Sequence, residues 1–68
     1  MSVLIFDIPR EMNTVEKRIN RELHSIGAEM MQHSVWKLKE VSELMKIAID
    51  IKKSGGRALI LEERFLFE

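Results

Sequence analysis

Hydrophobic positions along the chain switch between a period of two and a period of 3.6, and each switch marks an element. The run Val3-Leu4-Ile5-Phe6-Asp7-Ile8-Pro9 predicts a strand, with Val3, Ile5 and Asp7 on one side and Leu4, Phe6 and Ile8 on the other. Asn13 and Glu16 stand at capping-box spacing; Val15, Ile19, Leu23 and Ile26 follow on one helical stripe that Gly27 stops. From Ala28 to about Leu38 the chain alternates Met31, His33 and Val35 against Met30, Gln32, Ser34 and Trp36. This predicts a strand, or two short strands broken by a bulge or tight turn near Ser34. A second helix is predicted from about Val41 to Lys53, ended by Ser54-Gly55-Gly56. Its apolar residues Val41, Leu44, Met45, Ile47, Ala48, Ile49 and Ile51 cover an arc of about 200°, wider than one sheet contact needs, so a second cover is expected on its flank. Arg57 to Leu61 predicts the last strand, and Phe65-Leu66-Phe67 a short apolar end after Glu62-Glu63-Arg64.

Strand, helix, two strands, helix, strand is the order of an α+β, ferredoxin-like βαββαβ sandwich, an antiparallel sheet carrying two helices on one face. The whole chain, 1–68, reads as one such domain. A domain this short buries only about 60% of the surface its unfolded chain exposes. It has no cysteine for disulfides, and its two histidines, His24 and His33, lack metal-ligand spacing. Oligomerisation is the reinforcement left, and the uncovered apolar sheet face is where a homodimer is expected to form. Terminal Phe65-Leu66-Phe67 is expected to add a strand to the partner's sheet edge. The first apolar run is too short, and too soon interrupted by Asp7, for a signal peptide or membrane span, so a cytoplasmic location is the default expectation.

Eleven basic residues balance eleven acidic ones, so no net field draws the chain to nucleic acid and any such contact rests on local patches. The densest are Lys17, Arg18 and Arg21, then Lys52, Lys53 and Arg57. A solvated helix face accounts for each of them equally well. Asp7 stands out more, because a carboxylate on an apolar strand face costs several kcal/mol unless it is paired, hydrogen-bonded, metal-bound or wet. It is either a site or a side chain that caps the Pro9 turn.

The strand ending Phe6-Asp7-Ile8-Pro9, the basic first helix and Met31-Gln32-His33-Ser34-Val35-Trp36 together resemble the small CRISPR-associated protein 2 family. The Asp-Ile-Pro and Ser-Val-Trp pieces also look like the C-terminal part of phenylacetate-type transcriptional repressors. The first resemblance covers Val3 to about Leu61. It implies a ferredoxin-like homodimer that cuts RNA or DNA with magnesium or holds double-stranded DNA as a scaffold for spacer acquisition beside a CRISPR integrase subunit. The second implies a non-catalytic protein-interaction or regulatory dimer.

Carried over by position, the first resemblance makes Asp7 the metal-binding and catalytic carboxylate, one from each protomer. Ser34 becomes the family's serine, and Arg10, Lys17, Arg18 and Arg21 the phosphate-holding residues. Magnesium takes oxygen ligands and often only one or two protein carboxylates, so two Asp7 side chains suit it. Chain length below that of typical members and the acidic Glu62-Glu63 depart from the pattern. Other residues have plainer expectations: Met30, Met31 and Met45 as core fillers, Trp36 as an anchor beneath the second helix, His24 on a helix surface and His33 on a strand.

Overall fold

The computed structural model describes residues 1–62. Strand β1 (Ser2–Asp7) leads through a 3-10 turn (Arg10–Met12) into helix α1 (Asn13–Ser25). Strands β2 (Glu29–Gln32) and β3 (Val35–Leu38), helix α2 (Val41–Lys53) and strand β4 (Arg57–Glu62) follow. The sheet order is β2-β3-β1-β4, and every adjacent pair is antiparallel. This arrangement is consistent with a ferredoxin-like fold. No helix among the described residues is long and apolar enough to cross a membrane.

Alternation along β1 assigns the two faces of the sheet. Leu4, Phe6 and, just beyond the strand, Ile8 are buried with Trp36 against Ile19 and Leu23 of α1 and Leu44, Ile47 and Ile51 of α2. Both helices therefore share one face. Leu4 lies opposite Trp36 and Ile60, and Phe6 opposite Ala58, so directly paired residues continue the same apolar layer across three strands. Each fully buried Leu or Ile side chain contributes roughly 1.5–3 kcal/mol.

Both helices stop by the same device. At the end of α1 the Ala28 N–H donates to the Leu23 carbonyl and the Gly27 N–H to that of His24. At the end of α2 the Gly56 N–H donates to Ile51 and the Gly55 N–H to Lys52. These are paired Schellman bonds, and Gly27 (φ 81°) and Gly55 (φ 98°) supply the left-handed residue they need. Gly56 is required for a different reason: a Cβ there would stand 2.8 Å from the Asp7 carbonyl oxygen and 2.8 Å from Ile51 Cγ2.

Several expectations change. No capping box forms, because the 3-10 turn runs straight into α1, Asn13 is already helical, and no side chain caps the helix. Between β2 and β3 there is both a bulge, at Met30/Gln32, and a tight turn at His33-Ser34. His33 thus lies in the turn rather than on a strand. Trp36 is buried in the layer that both helices cover, and it also meets the His24 ring of α1 edge-on at 4.9 Å. Met30, Met31 and Met45 are exposed rather than core, since β2 is a bulged edge strand and Met45 lies on the flank of α2 that the sheet does not reach. Phe65-Leu66-Phe67 lies outside the described residues.

Ser34 has φ 65°, the left-handed region that costs a residue with a Cβ about 1–2 kcal/mol. Ser34→Gly is therefore expected to stabilise the chain by about 0.5–1 kcal/mol in urea unfolding, and Ser34→Ala is not. Gly56→Ala is expected to destabilise it by about 1–3 kcal/mol, because the Asp7 carbonyl it would strike is backbone and cannot turn aside.

Candidate functional site

Asp7 is the last residue of β1 and faces away from the helices, exposed. Its cross-strand partner is Arg57, the first residue of β4. Two local constraints fix this corner. Gly56 brings the end of α2 against the Asp7 backbone, and the Phe6 N–H donates to the Ser34 carbonyl at 3.1 Å, tying the β2–β3 turn to the same end of β1. Ile5, Phe6, Asp7, Arg57, Ala58 and Leu59 line a shallow open hollow of about 330 Å³ here.

Next to the hollow the open sheet face is apolar, and Lys37, opposite Val3, and Glu29, opposite Lys37, add charge farther along it. Val3 pairs with Leu61, and Ile5 with Leu59 on one side and Val35 on the other. Ile5, Leu59 and Leu61 are exposed. Among the described residues the Asp7 carboxylate accepts no hydrogen bond and makes no ion pair. It does not cap the Pro9 turn, which closes instead through the Met12 N–H to the Pro9 carbonyl.

The basic residues fall elsewhere. Lys17, Arg18 and Arg21 are exposed on α1, in the layer on the other side of the sheet from Asp7. Arg18 is engaged there: its guanidinium meets Asp50 of α2 at 2.9 Å, donates to the Ser54 hydroxyl at 3.3 Å and lies 3.8 Å from Glu22. A phosphate would compete with Asp50 for it. Arg10 is exposed in the 3-10 turn two residues beyond Ile8. Thus the fold gathers Asp7, Arg57 and the Ser34 backbone at one end of the open face and leaves the α1 cations on the other layer.

Arg57 is the residue that pattern reading does not place at the site. The signal was available in the alternation itself: an antiparallel β4 of this length beside β1 sets the residue after Gly56 opposite the end of β1. Trp36 is only 1% exposed and offers no stacking platform for a base. No group of three or more His, Asp or Glu side chains stands together among the described residues. Asp7 offers a single carboxylate here, with the Arg57 residue as its cross-strand neighbour. No family model and no curated protein matches the chain.

The Arg18–Asp50 pair is the one ion pair that joins the two helices among the described residues. Both side chains are more than a third exposed, so a double-mutant cycle with Arg18→Ala and Asp50→Ala is expected to give a coupling of about 0.2–1 kcal/mol, smaller at high salt.

Proposed function

We propose that the chain works as a homodimer that binds nucleic acid, in the manner of the CRISPR-associated protein 2 family, with the open sheet faces of two protomers packed together. The observation that carries this reading is the placement of Asp7 on the apolar open face, level with Arg57 and beside exposed Ile5 and Leu59. An exposed apolar sheet face is the surface a small domain needs to cover. Covering it with a twin draws the two Asp7 carboxylates and the two Arg57 guanidinium groups toward one groove. Arg57 and Arg10 then supply positive charge at the groove's mouth, while Lys17 and Arg21 present a second, outward basic strip for a longer duplex.

Holding nucleic acid is a better match to these residues than cutting it. One carboxylate per chain, with a cation as its cross-strand neighbour, is a sparse donor set for phosphodiester hydrolysis, and among the described residues the Ser34 hydroxyl is hydrogen-bonded to no base that would make it a nucleophile. Magnesium, if bound between two Asp7 side chains, would supply charge neutralisation at a phosphate. A scaffold role in spacer acquisition beside an integrase subunit is the corresponding cellular assignment.

Three measurements test this. Light scattering after size exclusion is expected to give at least two chains, with Ile5→Lys lowering the mass; a stable monomer at micromolar concentration would refute the open-face dimer. Binding to duplex DNA or RNA is expected to fall steeply with salt, and Arg57→Ala, Arg10→Ala or Arg21→Ala is expected to lower the slope of log K against log salt by about one each. Binding that is indifferent to salt and to all three changes excludes a nucleic-acid role. Any magnesium-dependent cleavage should disappear in Asp7→Ala, and cleavage that persists arises elsewhere.

A further inference from the structure

On the open face β1 and β4 present three cross-strand levels: Asp7 beside Arg57, Ile5 beside Leu59, and Val3 beside Leu61. The first level holds opposite charges, and the other two are apolar. Asp7 and Arg57 are direct neighbours and both are exposed, yet among the described residues neither makes an ion pair or a side-chain hydrogen bond. Beyond β1 the face carries charge again at its other end, where Lys37 stands opposite Val3 and Glu29 opposite Lys37. What remains is a two-strand apolar strip with one unpaired charge of each sign at its end.

We propose that these two charges fix how a second copy seats on the open face: Asp7 of each protomer pairs with the partner's Arg57, about a two-fold axis that runs along the strands between β1 and β4. The inference rests on the open-face dimer proposed above and specifies which residues meet in it. Aligned sheets stack ~10 Å apart with neighbouring strands ~4.8 Å apart, and rotation about an axis parallel to the strands keeps each residue at its own level. An axis between β1 and β4 exchanges the two columns. Arg57 then faces the partner's Asp7, Ile5 faces the partner's Leu59, and Val3 faces the partner's Leu61, so every level is complementary. Other axes along the strands fail. One on β1 sets Asp7 against the partner's Asp7, and one on β4 sets Arg57 against the partner's Arg57. One between β1 and β3 sets Val3 on the partner's Lys37 and Leu61 on the partner's Glu29. Each of these brings like charges together or buries a charge on an apolar side chain. Because the strip is its own complement in sign and in apolar content, a second copy is the occupant it fits. Arg57 has five N–H donors, so one edge of its guanidinium remains for a phosphate while the partner's Asp7 holds the other.

Sedimentation equilibrium on the full chain at low salt tests the pairing. Asp7→Arg and Arg57→Asp, each alone, are expected to weaken self-association about tenfold, since each sets like charges together twice in one dimer. Mixing the two variants is expected to restore a dimer, because the all-basic corner of one then meets the all-acidic corner of the other; this readout holds even if either reversal alone disturbs its own chain. Asp7→Asn decides the axis. It is expected to weaken association a few-fold, whereas two Asp7 carboxylates facing each other would repel, so tighter association of Asp7→Asn overturns the proposal. Magnesium that tightens the wild-type dimer and not Asp7→Asn marks an ion shared by two Asp7 side chains and overturns it as well. If Ile5→Lys abolishes association while neither reversal weakens it, the open-face dimer stands and the reciprocal pairing fails. A mass unchanged by Ile5→Lys removes the open-face reading itself, and with it this one. A monomer that associates only after residues 63–68 are deleted shows that segment to be the occupant and refutes both.

Discussion

Everything in this chain depends on a strand that is apolar on both sides and covered on one. β1 lies between β3 and β4 and carries Leu4 and Phe6 into the helix-facing core and Val3 and Ile5 to the other face. Helix-side burial is enough to organise a fold of this size, since Leu4, Ile19, Leu23, Leu44 and Ile51 are fully buried around Trp36. The second side is not neutral. Exposed Ile5, Leu59 and Leu61 are only partly removed from water by their cross-strand neighbours and gain further when something else covers them.

The geometry of the Asp7 corner follows from backbone rather than side-chain requirements. Gly56 has to be small because the end of α2 is pressed onto the Asp7 carbonyl, and Ser34 accepts an unfavourable φ in a turn whose carbonyl is bound by the Phe6 N–H. Two connections therefore converge on the end of β1 and hold it. Such convergence places one carboxylate and one guanidinium at defined positions without any hydrogen bond between side chains. It also explains why the corner is a binding candidate more than a catalytic one: its position is fixed, but its chemical equipment is slight.

Charge is arranged by layer. The α1 cations face outward over the helices, and Arg18 spans to Asp50 as a strut between α1 and α2. The open face carries Asp7 and Arg57 at one end, Val3, Ile5, Leu59 and Leu61 in the middle, and Lys37 with Glu29 toward the β2 side. A polyanion that touches both layers must therefore wrap around the molecule or meet them on different protomers, which is why a basic helix and an acidic strand end, adjacent in sequence, are not one site in a single chain.

Much of the fold was legible in the residues. Periodicity fixed the order of the elements, the span of α2 and the two faces of β1, because a 3.6 or a two-residue repeat of apolar positions has only one way to be buried. Gly27 and Gly55-Gly56 announced the helix stops, since left-handed closing residues favour glycine. Asn13 misled, because a preceding 3-10 turn can supply helical geometry that a capping side chain otherwise would. The methionines misled too, because hydrophobicity alone does not say whether the sheet is wide enough to reach a given flank. What only the tertiary structure decided is which distant residues share a surface: Arg57 with Asp7, and Arg18 with Asp50. Those pairings depend on strand order and register, which arise from long-range packing and leave no local repeat in the chain.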